Sequence, residues 1–287
     1  MGSMGRGGRS GKPSQPRELR AVVLLAPVGL LMAAAFLFPL GFVVFNSFYA
    51  NGPTLRAYAA LGSSPLFLRV LWTTFEISFT ASLVSLVLGY ILALHLARQP
   101  PRRRMLLMIF ILLPFWTSIL VKSYAFTIIL GHGGLINESL QAAFGAGTAI
   151  DLLFNRTGVV IGMSHYLIPF AVFPVLTSLR AQDRHLYRAA RVMGAGPVRI
   201  FLKVTLPLSL PGVLAGFLMT MVLSLGMFIT PALLGGRRDM MMANLVDFFT
   251  RETLDWNMAA AIAMILTLMS ALLILLLLRV RGADQLI

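Results

Sequence analysis

Six long apolar segments restrict this chain more than any other feature of its sequence. A helix needs about 20 mostly apolar residues to cross the hydrocarbon core of a bilayer. The segments that meet this length are residues 21–48, 68–97, 105–130, 158–179, 206–234 and 257–278. Lipid cannot satisfy exposed backbone groups, so only helices and closed barrels cross it, and no useful strand-like alternation occurs. We therefore predict an all-α, polytopic membrane protein with six transmembrane helices.

The residue types present exclude most kinds of catalytic site. Cys is absent, which rules out disulfides, thiolate nucleophiles and Cys-based metal sites. The His, Asp and Glu residues show no metal-ligand spacing, and no Ser-His-acid set or carboxylate pair indicates bond chemistry. The Gly–Lys pair at residues 11–12 is not a phosphate loop, because Pro13 occupies the Ser/Thr position. We predict no catalytic residue, no metal and no cofactor bound by this chain.

The formal net charge of +14 is distributed unevenly along the chain. Most Lys and Arg lie in the N-terminal tail, after the second and fourth segments and at the C-terminus, whereas most acidic residues lie in the other loops. Cytoplasmic loops of membrane proteins carry the excess of Lys and Arg. We therefore predict that both termini are cytoplasmic. The basic excess then sets topology and contacts anionic lipid headgroups, and it does not indicate nucleic acid.

Two shorter regions have their own composition. Residues 1–20 are rich in Gly, Ser and Arg without an apolar period, which predicts a disordered cytoplasmic tail before a transmembrane domain at 21–287. Between the third and fourth segments, Leu135, Leu140 and Phe144 recur at helical spacing, which predicts a short helix on the membrane surface.

A basic loop at about residues 180–207 carries the most specific pattern in the chain. It reads YRAARVMG at residues 187–194 and VTLP at residues 204–207. Gly194 permits a turn without a Cβ penalty, and Pro207 suits the first turn of a new helix. The pattern predicts two short helices joined by a tight turn.

This spacing resembles the coupling loop of ATP-binding-cassette (ABC) importer permeases. The family pattern is Glu-Ala-Ala, three residues, Gly, nine residues and Ile-x-Leu-Pro. Arg188 stands where the family has Glu, and Val204 stands where it has Ile, so the resemblance leaves the family's ion pair at Glu in doubt. The small residues Ala189 and Ala190 let another protein approach closely. The residues that the resemblance assigns to ATPase coupling are Arg188, Ala189, Ala190, Gly194, Leu206 and Pro207.

Further stretches are similar to the spermidine/putrescine permease subfamily. They are residues 88–90 (LGY), 113–117 (LPFWT), Tyr124, 134–137 (GLIN), 167–170 (LIPF), 206–212 (LPLSLPG) and 234–236 (LGG). The resemblance implies a type I ABC importer permease fold in a bacterial inner membrane. It also implies a second homologous permease subunit, two ATP-binding-cassette ATPase subunits and an extracytoplasmic substrate-binding protein. ATP and Mg²⁺ would then be used by the partner ATPase, and this chain would not be an enzyme.

The resemblance makes polyamines the leading substrate class and leaves two alternatives open. The first is the same class of importer carrying another small charged metabolite, such as an amino-acid-like or phosphonate compound. The second is an autonomous secondary transporter, which would need inverted repeats and intramembrane acids for ion coupling. We find no repeat, and Glu76 is the only acid within a predicted segment.

Several residues inside the segments are candidates for a translocation path. Glu76 and Lys122 lie at similar depth, and an isolated charge there costs about 2.5–3.5 kcal/mol, so either they pair structurally or one borders the path. Gly and Pro interrupt the fifth segment, which indicates either a broken helix beside a path or a packed kink. Aromatic faces on the third segment either stack on a cation or pack in the core. The predicted path residues are Glu76, Trp116, Lys122, Tyr124, Gly226, Phe228 and Pro231.

Overall fold

The backbone is helical almost throughout residues 15–49, 52–145 and 147–283, which the computed structural model describes. Apart from an isolated bridge between Tyr49 and Pro53, these ranges contain no extended pairing. The helices are α1 (Gln15–Phe48), α2 (Arg56–Ser63), α3 (Pro65–Arg98), α4 (Pro101–Trp116), α5 (Ile119–Leu130), α6 (Leu135–Phe144), α7 (Arg156–Ala181), α8 (Arg184–Val192), α9 (Pro197–Ile200), α10 (Leu206–Leu225), α11 (Ile229–Leu234), α12 (Met242–Arg251) and α13 (Trp256–Ala283), with a π-helical segment at Phe201–Thr205.

Six helical stretches are long and apolar enough to cross a membrane, which confirms the predicted all-α class and the number of transmembrane helices. Helix α6 also coincides with the predicted short helix. The six stretches are Ala26–Phe48, Pro65–Arg98, Ile119–Phe144, Arg156–Ala181, Pro197–Leu225 and Trp256–Arg279.

The predicted disordered tail overlaps the first helix. Residues 1–14 lie outside the described residues, but α1 begins at Gln15, so residues 15–20 are helical. A hydropathy pattern places the boundary at the first apolar residue, and it does not detect polar residues that open the same helix.

The third apolar segment is two helices and not one. Within residues 105–130, extended backbone at Thr117 ends α4, and α5 begins two residues later. Pro114 in the last turn of α4 lacks a backbone N–H, and its carbonyl accepts from the Thr117 hydroxyl at 2.8 Å. The sequence-based segment therefore hides a break near its middle.

The fifth spanning helix begins earlier and ends earlier than the predicted segment at 206–234. Helical backbone is continuous over Pro197–Leu225, and it breaks at Gly226 before α11. Pro207 lies in the first turn of α10, as predicted, but α10 continues from the helical residues before it and does not begin after a loop. The wider π-helical turn just before it accommodates a residue that has no N–H for an α-helical bond.

Helix α7 is the centre of the bundle because it packs closely against both α3 and α10. A Cβ added at Gly89 would lie 2.8 Å from the Ala171 Cβ, and one at Gly212 would lie 2.7 Å from the Pro174 carbonyl oxygen. Membrane helices associate through such small residues, since lipid supplies no hydrophobic drive between them. The three helices therefore form one tightly packed unit.

Side-chain hydroxyls bond α3 to α7 across this contact. The Ser164 hydroxyl donates to the Ala81 carbonyl at 3.3 Å, and the Ser85 hydroxyl, which donates to the Ala81 carbonyl in its own helix, also lies 3.2 Å from the Ser164 carbonyl. All three residues are buried. Hydrogen bonds between helices add to the packing where no water competes for the donors.

We expect Gly89→Ala to lower the melting temperature of the purified protein. The added Cβ overlaps the Ala171 side chain, and overpacking of this kind costs about 1–3 kcal/mol. Gly41→Ala in α1 is the matched control, because nothing lies within 4 Å of a Cβ there. A melting temperature that falls equally for both variants would contradict the close contact.

Candidate functional site

A pair of short helices connects α7 to the helical run that contains α10. Helix α8 begins after Asp183, whose carboxylate accepts from the His185 N–H at 2.8 Å and caps the helix. The chain then turns at Gly194, whose φ of +77° lies in the left-handed region that glycine adopts without a Cβ penalty. Helix α9 begins at Pro197. The structure thus has the predicted arrangement of two short helices around a tight turn.

The residues predicted to face an ATPase differ in exposure. Arg188 and Ala189 are exposed, and Arg188 has no acidic partner within the described part of the chain. Ala190 is only 6% exposed, and its carbonyl accepts from the Ala195 N–H at 3.0 Å. Of the two alanines, only Ala189 offers an open surface in this structure, because Ala190 packs inside the turn.

Leu206 and Pro207 lie farther into the bundle than the rest of the predicted coupling set. They open α10 directly after the π-helical segment. Pro207 lines a cavity between helices, and it does not lie at the tip of the turn.

Three exposed apolar residues near the turn were missed by the sequence reasoning. Val192, Met193 and Val198 are 89%, 79% and 69% exposed. All three lie at the junction of α8 and α9, in the same loop as Ala189. The sequence does carry a signal for them, since apolar residues flank Gly194 within an otherwise basic loop.

Gln182 connects the turn to the bundle through both ends of its amide. The Tyr187 hydroxyl on α8 donates to the Gln182 side-chain oxygen. The Gln182 side-chain nitrogen donates to the Thr205 carbonyl at 3.1 Å. Because Gln182 follows α7 and Thr205 ends the π-helical segment, α8 is bonded to the helices on both sides of it.

A cavity of about 1150 Å³ opens between α4, α7 and α10, beside α8. Its wall is mostly apolar, with Phe115, Phe170 and Phe173 on one side and Leu208 on another. Asp183, at its α8 end, is the only charged residue that lines it. Among the residues that the structure describes, no group of three or more His, Asp or Glu side chains is placed to hold a metal ion.

Lys122 stabilises the break between α4 and α5. Its ammonium group donates to the Pro114 carbonyl at 2.7 Å and lies 5.0 Å from the centre of the Tyr166 ring on α7. A cation at the carboxyl end of a helix interacts favourably with the exposed carbonyls and with the helix dipole. The predicted pair between Lys122 and Glu76 is wrong, because each side chain has a different partner.

Glu76 belongs to an ion triad that lies apart from the helix breaks. Its carboxylate lies 2.6 Å from Nη1 of Arg156, the first residue of α7. Nε of Arg156 lies 3.3 Å from the Asp239 carboxylate, which also accepts from the Gly236 N–H at 3.1 Å. The triad joins α3, α7 and the connection between α11 and α12. Sequence reasoning missed Arg156 because it was counted as a loop residue.

The break after α10 is held by neighbouring helices. Asn244 on α12 donates to the Phe228 carbonyl at 3.1 Å, and the hydroxyls of Ser123 and Thr230 lie 3.1 Å apart between α5 and α11. The Phe228 carbonyl also accepts from the Ala232 N–H at 3.1 Å, so Asn244 joins α12 to the first turn of α11. The Gly226 break is therefore a fixed feature of the fold.

The structure divides the predicted path residues into separate groups. Trp116, Lys122 and Tyr124 lie around the α4–α5 break, and Trp116 and Tyr124 are exposed. Gly226, Phe228 and Pro231 belong to the α10–α11 break, which the contact between Ser123 and Thr230 joins to α5. Glu76 lies apart from both breaks, in the ion triad.

Comparison with known proteins gives a consistent result for sequence and fold. The family described as "binding-protein-dependent transport system inner membrane component" matches residues 85–282. The spermidine/putrescine transport system permease protein PotB of Salmonella typhimurium (strain LT2) is 33% identical over 266 residues, which is 90% of this chain and 92% of the relative. The Escherichia coli (strain K12) protein of the same name is 34% identical over 222 residues, 77% of this chain and 80% of the relative.

The fold is similar to that of a solved transporter. A chain of the bacterial alginate ABC transporter, in complex with an alginate pentasaccharide-bound periplasmic protein, aligns with a TM-score of 0.71. The alignment covers 91% of this chain and 93% of that chain at 17% identity. At this identity the likeness concerns the fold, and it confirms the ABC importer permease architecture.

We expect Arg156→Gln to lower the melting temperature more than Arg251→Gln. Loss of Arg156 leaves the carboxylates of Glu76 and Asp239 without their shared cation. A partly buried charge that has lost its partner destabilises a protein more than removal of both charges does. In the control pair, Arg251 is 77% exposed and contacts Asp247 four residues before it, so the loss of this pair should cost little.

A double variant separates this ion pair from general damage. Glu76→Gln combined with Arg156→Gln should cost less stability than the sum of the two single variants, because the double change leaves fewer uncompensated charges. Strictly additive shifts in melting temperature would contradict a coupled Glu76–Arg156 pair.

Proposed function

Since this chain belongs to the family of binding-protein-dependent transport system inner-membrane components, we propose that it is the permease subunit of an ATP-driven importer for polyamines. The observation that carries the substrate class is 33% identity to a spermidine/putrescine permease across 90% of the chain. Membership of the family makes the chain a multi-pass protein of the inner membrane. We place both termini and the α8–α9 turn in the cytoplasm, which the distribution of Lys and Arg supports.

The proposed assembly has one site for each kind of partner. A second homologous permease subunit completes the membrane part, two ATP-binding-cassette ATPases bind at the cytoplasmic side, and an extracytoplasmic binding protein delivers the substrate. The exposed patch of Val192, Met193 and Val198, together with Arg188 and Ala189, is the proposed ATPase contact. Exposed apolar groups in a charged loop favour a protein partner over water.

Coupling runs from the turn into the helices that line the large cavity. ATPase closure would move α8, and the Tyr187–Gln182–Thr205 bonds would carry that movement to α7 and to the π-helical segment. Helix α7 lines the cavity, and so does α10, which continues directly from the π-helical segment, so their movement changes its width. ATP and Mg²⁺ are used by the ATPase, and this chain contributes no nucleotide site.

The proposed path lies at the two helix breaks, whose backbone is held by specific donors. Trp116, Tyr124, Gly226, Phe228 and Pro231 are the residues that we place beside it. Exposed aromatic faces suit an alkylammonium cargo through cation–π contact. Lys122 and Glu76 act as structural residues instead, since each is engaged by a partner in the same chain.

Uptake by the reconstituted importer tests the substrate class. The complex of this chain with its permease, ATPase and binding-protein partners should take up labelled spermidine, with putrescine as a competitor. A phosphonate or an amino acid in the same excess should leave uptake unchanged. Uptake of a phosphonate without competition by polyamines would overturn the substrate assignment, and uptake by this chain without any ATPase would overturn the importer class.

We expect Gly194→Trp to abolish uptake while the chain still inserts into the membrane. Nothing lies within 4 Å of a Cβ at Gly194, so the indole would project into the space that an ATPase must occupy. Gly194→Asn tests backbone strain alone, because Asn tolerates the left-handed conformation, and it should retain most uptake. ATPase co-purification and uptake are the two measurements.

Gly147→Trp is the matched control, because this glycine is also exposed and open but lies between α6 and α7, away from the turn. It should leave ATPase co-purification unchanged. Normal co-purification and uptake with Gly194→Trp would contradict the proposed contact. Arg188→Glu then asks which charge the ATPase groove carries: weaker assembly indicates an acidic groove, and stronger assembly indicates the basic partner of the family.

A further inference from the structure

A second, polar cavity of about 490 Å³ lies at the end of the bundle that carries the ion triad. Three arginines meet there from separate parts of the chain: α3, the start of α7 and the connection after α11. The cavity is lined by Arg69, Trp72, Thr73, Glu76, Arg156 and Arg238. No step of the proposed transport mechanism uses it.

The charges around this cavity do not balance. Glu76 is engaged by Arg156 at 2.6 Å, and Asp239 approaches the same guanidinium while being only 7% exposed. Within the described residues, Arg69 and Arg238 have no carboxylate within 4.0 Å. Both are exposed. Two guanidinium groups are therefore available to an anion that enters the cavity.

An aromatic ladder leads from the cavity along α3. The ring centres of Trp72 and Phe75 lie 6.1 Å apart, as do those of Phe75 and Phe79. Phe79 meets Phe217 of α10 edge-on at 5.6 Å. The three ladder residues on α3 are exposed. The cavity thus continues into an apolar surface that lies on a membrane-spanning helix.

The length of this arrangement matches one leaflet of a bilayer. At a rise of about 1.5 Å per residue, Phe79 lies about 15 Å along α3 from Arg69. Half of a hydrocarbon core of about 30 Å is the same distance. Trp72 then lies at the depth where tryptophan concentrates, the membrane–water interface. With Arg69 at the level of the lipid phosphates, Phe75 and Phe79 lie at the depth of the acyl chains.

We propose that this cavity binds the phosphate of an anionic phospholipid, with one acyl chain along the Trp72–Phe79 ladder. The planar guanidinium fork of arginine matches phosphate oxygens in pairs, so Arg69 and Arg238 hold the headgroup. Free phosphate has the same chemistry as the headgroup, but it has no acyl chain to contact the ladder. The proposal does not depend on the transported substrate or on the ATPase.

Lipid binding to the purified full chain tests the site. The protein is stripped of lipid, then titrated with phosphatidylglycerol, with phosphatidylcholine or with inorganic phosphate, and bound molecules are counted by native mass spectrometry. Phosphatidylglycerol should bind with defined stoichiometry and more tightly than phosphatidylcholine, whose choline group is repelled by arginine. Arg238→Gln and Arg69→Gln should each weaken phosphatidylglycerol binding about tenfold, the value of one charge-assisted hydrogen bond.

Arg237→Gln provides the control, because Arg237 is exposed and adjacent to Arg238 but does not line the cavity. It should bind phosphatidylglycerol as the unchanged chain does. Equal loss in Arg237→Gln and Arg238→Gln, or equal affinity for the two lipids, would overturn the proposal. If inorganic phosphate binds but does not compete with phosphatidylglycerol, the cavity binds the free anion and the lipid proposal is rejected. All three variants change exposed side chains, and their melting temperatures confirm that each is folded.

Discussion

The close contact of α7 with α3 and α10 is the constraint on which the rest of the structure depends. Glycines at the contact remove the side chains that would separate the helices, and buried serine hydroxyls bond one backbone to the other. Lipid gives no hydrophobic drive for this association, so packing and hydrogen bonds must supply it. The ion triad, the large cavity and the α8–α9 turn all take their positions from these three helices.

At both helix breaks of this bundle, a side chain donates to a backbone carbonyl beside the break. At the α4–α5 break, Lys122 and the Thr117 hydroxyl donate to Pro114. At the α10–α11 break, Asn244 donates to Phe228. Irregular backbone at membrane depth persists only where protein or water satisfies it. The α10–α11 break therefore packs against α5 and α12, whereas Trp116 at the α4–α5 break is exposed.

The sequence predicts the class of fold well and the breaks and ion pairs poorly. Long apolar runs identify six spans because the bilayer imposes a length that composition alone can meet. The hydropathy pattern does not reveal the helix break at Thr117, because the extended backbone there depends on local geometry. The partner of Glu76 was missed for a different reason: Arg156 is distant in sequence and reaches α3 only when α7 packs against it. At the turn, Gly194 was identified because its φ is a local property, whereas burial of Ala190 depends on α9.

The π-helical segment at Phe201–Thr205 determines how the α8–α9 turn is rotated relative to the bundle about the axis of α10. A π turn holds an additional residue, and one residue of α-helix corresponds to about 100° of rotation. Loss of one residue from this segment would restore α-helical bonding and swing α8 and α9 around the axis of α10, while the packed face below stayed in register. The direction in which Ala189 and Val192 point is thus adjustable by a single insertion or deletion.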